Sequence, residues 1–496
     1  MGSDLWEQPP EIEWWIAAGL ATALAGLLGI ADLIRKWFSL SPEFPRKFVH
    51  ITAALLIVTT LDLFTRPLPL IALGAVFASI NALSMRTGFL KGIHLTQRRS
   101  YGTVLYPLTF GILVILFWYS KPAIIVMSML VLAFGDSAAA IVGQYQRHAT
   151  VYHWSSDEKS VEGSMAMFLV SFLVLFAGLT QILDVNRIPL EFVLACAGVA
   201  AATGTAWEAL SSRGFDNLTA PLSVAFVLSC FLLPNARTDI QQLTIGAALG
   251  IMVAVASHRM AMLSASGAVA TFLLSIVVFG LGGWKFTLPL VTFFVLSSLL
   301  SKAGADRKAR FVDMLDKAGA RDHSQVFANG GIAATLVLLG YWFPEWDPYP
   351  AYLGAVAAVT ADTWGTELGI LGRWRTVLFP SFKPVPPGTN GGVSIVGVGA
   401  GAVGSLVIAL SAFPWIGMTY AGSILLAGLA GTFADSLLGS TIQSQFRCPA
   451  CRAVTGKRIH CNHQPTVLEK GWGFVNNNTV NWVCAGTGAG VMLVLG

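Results

Sequence analysis

The feature that most constrains this chain is a series of separate apolar runs, each about 15 to 22 residues long. A helix of that length spans the hydrocarbon core of a bilayer. Backbone N–H and C=O groups in lipid must bond within their own segment, so such runs must be helical. The sequence therefore predicts an all-α polytopic membrane protein with about 14–16 transmembrane helices.

Composition supports the same class of protein. Hydrophobic residues make up 55% of the chain and charged residues 11%, and the mean hydropathy is +0.67. A soluble domain carries about 25% charged residues. The first segment, MGSDLWEQPPEIEWW, is acidic, whereas secretory signals begin with a basic region and transit peptides are rich in arginine. We therefore expect the first span to be retained.

The basic residues predict the orientation in the membrane. Of the 31 Lys and Arg residues, 26 fall on alternate loops, and the others are Arg66, Lys121, Arg187, Arg237 and Lys285. By the positive-inside rule the N-terminus lies outside and the long loops are cytoplasmic. The polar stretch 234–242 then predicts two helical bundles, residues 1–240 and 241–496, which share one orientation.

Four carboxylates lie in or beside apolar runs: Asp136, Asp362, Glu367 and Asp435. An acidic residue in a membrane helix costs a few kcal/mol, so each is a functional candidate. The alternative is a carboxylate bonded to nearby hydroxyls at the end of a span. Three of the four are Asp followed by Ser or Thr, but three dipeptides do not establish a repeat.

Cations and hydroxyls gather at two predicted span starts in the first half. Arg46, Lys47 and His50 lie three and four residues apart, on one helical face. They predict a phosphate contact, and the alternative is snorkelling at a membrane edge. The segment 159–164 opens another span and predicts an anion site at a helix N-terminus. Its candidate residues are Lys159, Ser160, Glu162, Gly163 and Ser164.

Further carboxylates flank a short loop later in the first half. Glu208 precedes this loop, and Asp216 and Asn217 follow it. Carboxylates of this kind can hold a divalent metal ion, while the neighbouring cations neutralise phosphates. We therefore expect the polar groups of the first half to form one site.

The ordered motifs of the first half resemble the phytol kinase and dolichol kinase family. The motifs are RKFVH (46–50), YGTVLYP (101–107), FGDSAAAIVG (134–143), EKSVEGS (158–164) and WEAL…FDNLTAPL (207–222). That family uses a nucleotide, commonly CTP, to phosphorylate a polyprenyl-type alcohol. The resemblance implies metal or base roles for Asp136, Glu208 and Asp216. It also implies that Lys159 and Ser164 bind the nucleotide phosphates.

The second half has its own set of polar motifs. A glycine-rich turn, 387–394, immediately precedes a helix, and its backbone N–H groups can form an anion-binding nest. The alternative is a flexible turn. The candidate phosphate-binding residues are Lys302, Lys308, Arg321, Gln325, Asn329, Gly388, Thr389, Asn390, Gly391, Gly392, Ser394 and Asn478.

The motifs TADTWGTELG (360–369) and PPGTNGGVS (386–394) resemble the phytyl phosphate kinase family of plastids and its bacterial relatives. That family adds a second phosphate to a prenyl monophosphate. The resemblance covers roughly residues 260–485. It implies catalytic roles for Asp362, Glu367 and Asp435. We expect Mg²⁺ at Asp136 in the first half and at Asp362 and Asp435 in the second.

Cysteine and histidine residues cluster in one cytoplasmic loop of the second half. Cys448 and Cys451 have CxxC spacing, and His460, Cys461 and His463 follow. Such spacing predicts a structural zinc site, with Cys448, Cys451, His460 and Cys461 as ligands. The alternative is a set of free thiols in a reducing compartment.

These observations predict a bifunctional kinase that converts an isoprenoid alcohol to its monophosphate and then its diphosphate, a precursor of tocopherol-type quinones. Its partners are the bilayer, the prenyl substrates and a nucleotide, with CTP as co-substrate, and no nucleic acid is expected. The chain has no G-x-x-x-x-G-K-[ST] motif, so it is not a P-loop kinase. Two alternatives remain open: a transporter with intramembrane carboxylates, and a CTP-dependent cytidylyltransferase acting on a lipid phosphate.

Overall fold

The computed structural model describes residues 4–39, 43–87, 100–146, 148–183, 188–233, 240–303, 319–372, 374–461 and 464–495. Within these residues nine helices have the length and composition to cross a membrane, and four shorter helices of 10–17 residues are also apolar. The prediction of an all-α polytopic membrane protein is confirmed. The chain forms two compact units, Met1–Ile240 (unit 1) and Gln241–Gly496 (unit 2).

Unit 1 is a helical bundle with one short hairpin. Its helices are α1 (Glu11–Trp37), α2 (Glu43–Leu63), α3 (Leu68–Thr87), α4 (Gly102–Phe117), α5 (Ala123–Leu130), α6 (Asp136–Tyr145), α7 (Val161–Ile182), α8 (Leu190–Leu210) and α9 (Asp216–Leu232). A π-helical turn, Val131–Gly135, joins α5 to α6 and makes them one span. Turns of this kind often occur at functional sites, and this one ends directly before Asp136.

Unit 2 contains the remaining helices. They are α10 (Ile240–Arg259), α11 (Ala265–Lys302), α12 (His323–Trp342), α13 (Tyr349–Leu371), α14 (Ile395–Ser411), α15 (Phe413–Ile416), α16 (Ala421–Thr441) and α17 (Asn477–Leu495). Residues 351–361 of α13 are all buried. A helix that is apolar on every side belongs in the centre of a bundle. Asp362 is the first residue after this buried stretch.

The helix α11 has 38 residues and reverses direction at Gly283, where φ is 63° and ψ is −159°. Glycine adopts this conformation without the clash that a Cβ would cause. The two ends of α11 return to the same side of the unit, since Lys302 Nζ donates to the Met260 carbonyl oxygen at 2.6 Å. This helix therefore supplies two antiparallel segments, as the apolar runs on either side of Gly283 predict.

Short antiparallel strands occupy the loops. In unit 1, β1 (Val151–Tyr152) pairs with β2 (Lys159–Ser160). In unit 2, the strands are β3 (Thr376–Leu378), β4 (Lys383–Val385), β5 (Gly392–Val393), β6 (Gln445–Arg447), β7 (Val454–Thr455), β8 (Ile459–His460), β9 (Gln464–Pro465) and β10 (Val467–Lys470). Their sheets have the orders β4-β3-β5, β10-β6-β7 and β8-β9. Strand β2 leads directly into α7, and β5 lies directly before α14, where candidate site residues are found.

Candidate functional site

Two ion pairs define the polar site of unit 1. The Lys47 ammonium group on α2 binds the carboxylate of Asp136, and both side chains are largely buried, with 13% and 11% exposed. The Lys159 ammonium group lies 2.6 Å from a carboxylate oxygen of Glu208, and these side chains are 12% and 8% exposed. Charges buried to this degree need partners, and here each acid has a lysine.

Asp216 joins the second ion pair. Its carboxylate lies 3.9 Å from Lys159 Nζ, and its Oδ1 accepts hydrogen bonds from the backbone and side-chain N–H groups of Asn217. Burial acts to lower the pKa of Lys159, but the carboxylates of Glu208 and Asp216 outweigh it and raise that pKa above its ordinary value. Lys159 is therefore a stable positive charge between two acids.

The other predicted residues of segment 159–164 lie at the start of α7. Ser160 is the N-cap of α7 and accepts a hydrogen bond from the backbone N–H of Gly163, and Ser164 hydrogen-bonds to the hydroxyl of Tyr152 at 2.7 Å. Glu162 instead accepts hydrogen bonds from Thr150, so it braces the β1–β2 hairpin.

His50 and Arg46 complete the predicted residues of unit 1. His50 is buried and stacks on Tyr106 with the ring centroids 4.3 Å apart. Arg46 lies within α2, but its side chain is outside the part of the chain that the structure describes. Tyr106, which lies in the YGTVLYP motif, and Tyr152 carry polar groups at this site that were not among the predicted site residues.

Unit 2 has a cavity of about 740 Å³, which is large enough for a nucleotide. Most of the residues predicted for this half line it together: Lys302, Arg321, Gln325, Asn329, Asp362, Glu367, Gly388, Thr389, Asn390, Gly391, Gly392, Ser394 and Asp435. They come from helices α11, α12, α13 and α16 and from the turns between them. Lys308 lies outside the described residues.

The carboxylates of Asp362 and Asp435 interact electrostatically in this cavity. Among the described residues, neither carboxylate forms a hydrogen bond or an ion pair. Carboxylate oxygens are the ligands that Mg²⁺ prefers, and these two acids line one cavity. The residues of unit 2 therefore fit a bound Mg²⁺ ion better than Asp136, which Lys47 already neutralises.

Cations and a third acid line the same cavity. Glu367 accepts a hydrogen bond from Ser301 Oγ at 2.5 Å. Arg321 precedes α12 and lies over the ring of Phe293, 5.7 Å from its centroid. Burial lowers the pKa of Arg321, while the carboxylate of Glu367 opposes this change. A guanidinium group in such surroundings carries little hydration and readily binds a phosphate.

The glycine-rich turn packs closely on α16. Gly391 has a φ of 78°, and a Cβ added to it would lie 2.6 Å from the Ser436 carbonyl oxygen, so only glycine fits. Fewer backbone N–H groups of the turn are available to bind an anion than the sequence predicts. The backbone N–H groups of Thr389 and Gly392 donate within the turn, to the carbonyl oxygens of Pro386 and Thr389.

The structure does not place Asn478 with the other predicted residues. Its side chain donates to Ser324 Oγ on α12 at 2.8 Å and does not line the cavity. Asn477 and Asn481 line it instead, and Asn481 donates to the side-chain oxygen of Asn329. Residues four apart lie on one face of a helix, so the spacing within NNNTVN could have identified this pair.

The predicted zinc ligands also lie together. Each of Cys448, Cys451, His460 and Cys461 offers one ligand atom. These four atoms all lie within 4.8 Å of one another. Backbone N–H groups of Cys451 and Ala450 lower the pKa of the Cys448 thiol to about 6. His463 lies outside the described residues.

The acids Asp136 and Asp362 have equivalent positions in the two units. Each acid lies in a helical segment of 23 residues, Asp136 in Ala123–Tyr145 and Asp362 in Tyr349–Leu371. In both segments the acid comes thirteen residues after the first residue of the segment. In both units the segment directly follows a proline. A strand-containing loop follows the segment, and then a helix that begins after a serine N-cap, Ser160 or Ser394.

The contact between these helices is also the same in both units. The backbone N–H of Gly163 donates to Ser160 Oγ at 3.1 Å, and that of Gly397 donates to Ser394 Oγ at 3.1 Å. A Cβ on Gly163 would lie 2.9 Å from the carbonyl oxygen of Ala139, three residues after Asp136.

In unit 2, a Cβ on Gly397 would likewise lie 2.9 Å from the carbonyl oxygen of Gly365, three residues after Asp362. The next helices carry a further acid, Glu208 on α8 and Asp435 on α16. Each packs against a last helix that begins with polar residues, α9 or α17.

Comparisons with known proteins give one matching family and several related membrane proteins. The integral membrane protein family DUF92 matches residues 248–489. A phytol kinase from Synechocystis is 37% identical over 223 residues, which is 44% of this chain and 93% of the relative. Protein PGR from Arabidopsis thaliana is 32% identical over 268 residues, 47% of this chain and 88% of the relative.

A more distant organism supplies a third relative. An uncharacterized membrane protein from Methanocaldococcus jannaschii is 30% identical over 180 residues, which is 36% of this chain and 73% of the relative. No solved structure matches the chain significantly. The chain therefore belongs to the phytol kinase-like integral membrane proteins, and its residues 248–489 match the DUF92 family.

Proposed function

We propose that the protein is a membrane kinase that phosphorylates an isoprenoid alcohol in unit 1 and adds a second phosphate in unit 2. CTP is the proposed phosphate donor, and Mg²⁺ is the proposed metal ion. The identity to a protein named phytol kinase supports the first step. The product is a prenyl diphosphate of phytyl or geranylgeranyl type.

The observation that carries this proposal is the equivalent placement of Asp136 and Asp362. Each acid lies beside a helix whose serine cap and following glycine make the same contacts in both units. A second acid follows in each unit, Glu208 or Asp435. Phosphoryl transfer needs positioned charges rather than covalent chemistry, so one scaffold used twice can serve two acceptors.

The two sites differ in a way that suits two different acceptors. An alcohol must lose a proton, so the first site requires a carboxylate base. We assign this role to Asp216, whose side chain is 16% exposed, compared with 8% for Glu208. Glu208 then holds Lys159 in position for a nucleotide phosphate.

The second acceptor is a phosphate, which is already an anion and needs no strong base. It must approach another anion, so cations are needed near the acids. Lys302 and Arg321 line the cavity of unit 2 and can neutralise the two phosphates. When bound at Asp362 and Asp435, Mg²⁺ would neutralise charge that develops on the transferred phosphoryl group.

The distribution of charge along the chain indicates the side of the membrane from which the two sites are reached. The basic loops lie on one side of the predicted spans, so we infer that nucleotide and Mg²⁺ enter from the cytoplasm. The prenyl chain would lie among the apolar helices, with its head at the interface. Having both units in one chain raises the effective concentration of monophosphate at the second site.

The test is an assay of the purified full-length protein with geranylgeraniol, Mg²⁺ and each labelled nucleotide in turn. We expect prenyl monophosphate and diphosphate with CTP. Asp136→Asn should abolish the first step and spare conversion of added monophosphate, and Asp362→Asn should do the reverse. Asp62→Asn, an exposed acid at the end of α2, is the matched control.

Three outcomes would contradict the proposal. If either variant abolishes both steps equally, or neither step, the assignment of one step to each unit is wrong. Release of pyrophosphate with a CMP-linked lipid would identify a cytidylyltransferase. Ion-coupled uptake into vesicles without any need for nucleotide would identify a transporter.

A further inference from the structure

The segment between α16 and α17 contains a small lobe, residues 445–470, that is built almost without a hydrophobic core. Its strands are two to four residues long, and every residue of β10 is exposed. Among its described residues only Phe446, Cys448 and Thr455 are buried. A lobe of this size cannot bury enough apolar surface to be stable, so it needs a cross-link or a metal.

The four clustered ligands lie at the tips of two hairpins in this lobe. Cys448 and Cys451 lie in the turn between β6 and β7, which is closed by hydrogen bonds from Arg452 N to Cys448 O (2.9 Å) and from Cys448 N to Ala453 O (3.0 Å). His460 and Cys461 lie at the turn between β8 and β9. Two such turns facing each other bring ligands from separate hairpins to one point.

The distances between the ligand atoms suit a tetrahedral metal ion. His460 Nδ1 lies 3.5 Å from Cys451 Sγ and 3.2 Å from Cys461 Sγ. Bonds of about 2.3 Å to sulfur and about 2.0 Å to nitrogen give ligand separations of roughly 3.5 to 3.8 Å around a tetrahedral Zn²⁺ ion. The fourth ligand atom, Cys448 Sγ, lies within 4.8 Å of the other three.

We propose that Cys448, Cys451, His460 and Cys461 bind one structural Zn²⁺ ion that holds the two hairpins together. Four protein ligands leave no open position for water or substrate, which distinguishes a structural from a catalytic site. Zinc binding would also supply the folding free energy that the missing core cannot.

The lobe is joined to the cavity of unit 2 at its base. Ser444 N donates to Val475 O at 2.8 Å, and Trp472 N donates to Ile442 O at 2.9 Å. Lys470 Nζ donates to the Ser440 carbonyl oxygen at the end of α16. Gln443 lies at this base and lines the cavity. The zinc ion would therefore fix the segment that completes the cavity wall.

The direct test is metal analysis of the full-length protein purified without a chelator. We expect about one zinc ion per chain, and less than about 0.2 in Cys448→Ser and Cys451→Ser. Cys196→Ala is the matched control, since it removes a buried thiol from α8 and should retain the zinc. Because Cys448→Ser could fail to fold, His460→Ala keeps all three thiols and should also lose most of the zinc.

Cobalt substitution gives a second measurement that does not depend on these variants. A site with three thiolates and one imidazole should give thiolate-to-cobalt charge-transfer bands and the intense visible bands of tetrahedral Co²⁺. Trypsin cleavage after Lys457 or Arg458 should accelerate about tenfold or more once a chelator removes the metal.

Wild-type protein without zinc, a disulfide between Cys448 and Cys451, or full zinc content in both cysteine variants would each overturn the proposal. The effect on activity rests on the proposed function: zinc loss should impair the second phosphorylation and spare the first. Metal content is measured without any assay, so a failure of the kinase proposal would not be mistaken for a failure of the zinc site.

Discussion

Lys159 and Glu208 form an ion pair 2.6 Å long that joins the strand before α7 to the last turn of α8. The same ammonium group contacts the Glu208 carbonyl oxygen as well. One lysine thus binds both the side chain and the backbone of a residue in the last turn of this helix. The second carboxylate oxygen of Glu208 has no hydrogen-bond partner among the described residues.

Lys159→Met should destabilise the protein by about 3–5 kcal/mol, because it leaves the buried Glu208 carboxylate without a cation. The double variant Lys159→Met/Glu208→Leu should recover much of that loss, since it removes both charges of the ion pair. Neither variant should perform the first phosphorylation. Thermal unfolding in detergent and the assay with prenol measure the two effects. Losses that simply add in the double variant would show that the two residues do not interact.

Gly163→Ala and Gly397→Ala should each impair one step. The added Cβ would lie 2.9 Å from a carbonyl oxygen of the neighbouring helix, which pushes the acid-bearing helix away. Overpacking of this kind costs about 1–3 kcal/mol. We expect Gly163→Ala to slow the first step and Gly397→Ala the second. Gly399→Ala is the control, because a Cβ there meets nothing within 4 Å. Equal effects at all three positions would contradict the prediction.

Asp435→Asn should raise the Mg²⁺ concentration needed for the second step by about tenfold or more, because it removes a proposed ligand. The same variant should stabilise the protein by about 1 kcal/mol, since it relieves the repulsion between two adjacent carboxylates. Asp347→Asn is the control, because this acid pairs with Lys285 away from the cavity. Mg²⁺ titration and thermal unfolding test the two effects. A variant with normal Mg²⁺ dependence would exclude Asp435 as a ligand.

Asn481→Ala should raise the KM of the second step about fivefold, which corresponds to the loss of one hydrogen bond of about 1 kcal/mol. The reason is that Asn481 lines the cavity and orients Asn329. Asn478→Ala should lower the unfolding temperature without changing KM, because its side chain contacts Ser324 instead. The opposite result for the two variants would mean that α17 presents its other face to the substrate.

The membrane class and the gathering of the second-half residues could be predicted from the sequence, for a simple reason. An apolar run that spans lipid must be a helix, because its backbone groups bond within the run. Loops on one side of a bilayer all lie at one surface, so their residues can meet. Lys302, Asp362 and Asp435 are far apart in the chain, but all lie in the C-terminal halves of their helices and meet in one cavity.

The partners within the site could not be predicted in the same way. Lys47 and Asp136 are 89 residues apart, and only helix packing brings them together. The motif also does not reveal which face of a helix is turned toward the cavity, so it could not distinguish Asn478 from Asn477 and Asn481. The equivalence of the units was also hidden, since it depends on the contacts of Gly163 and Gly397 and involves few identical residues.

The reversal at Gly283 has a topological consequence. A continuous helix of 38 residues could cross a bilayer only once, whereas two antiparallel segments formed from it would cross it twice. Whether the number of membrane crossings is odd or even decides on which side of the membrane the later segments lie. The sidedness of the second site therefore depends on the backbone conformation of one glycine.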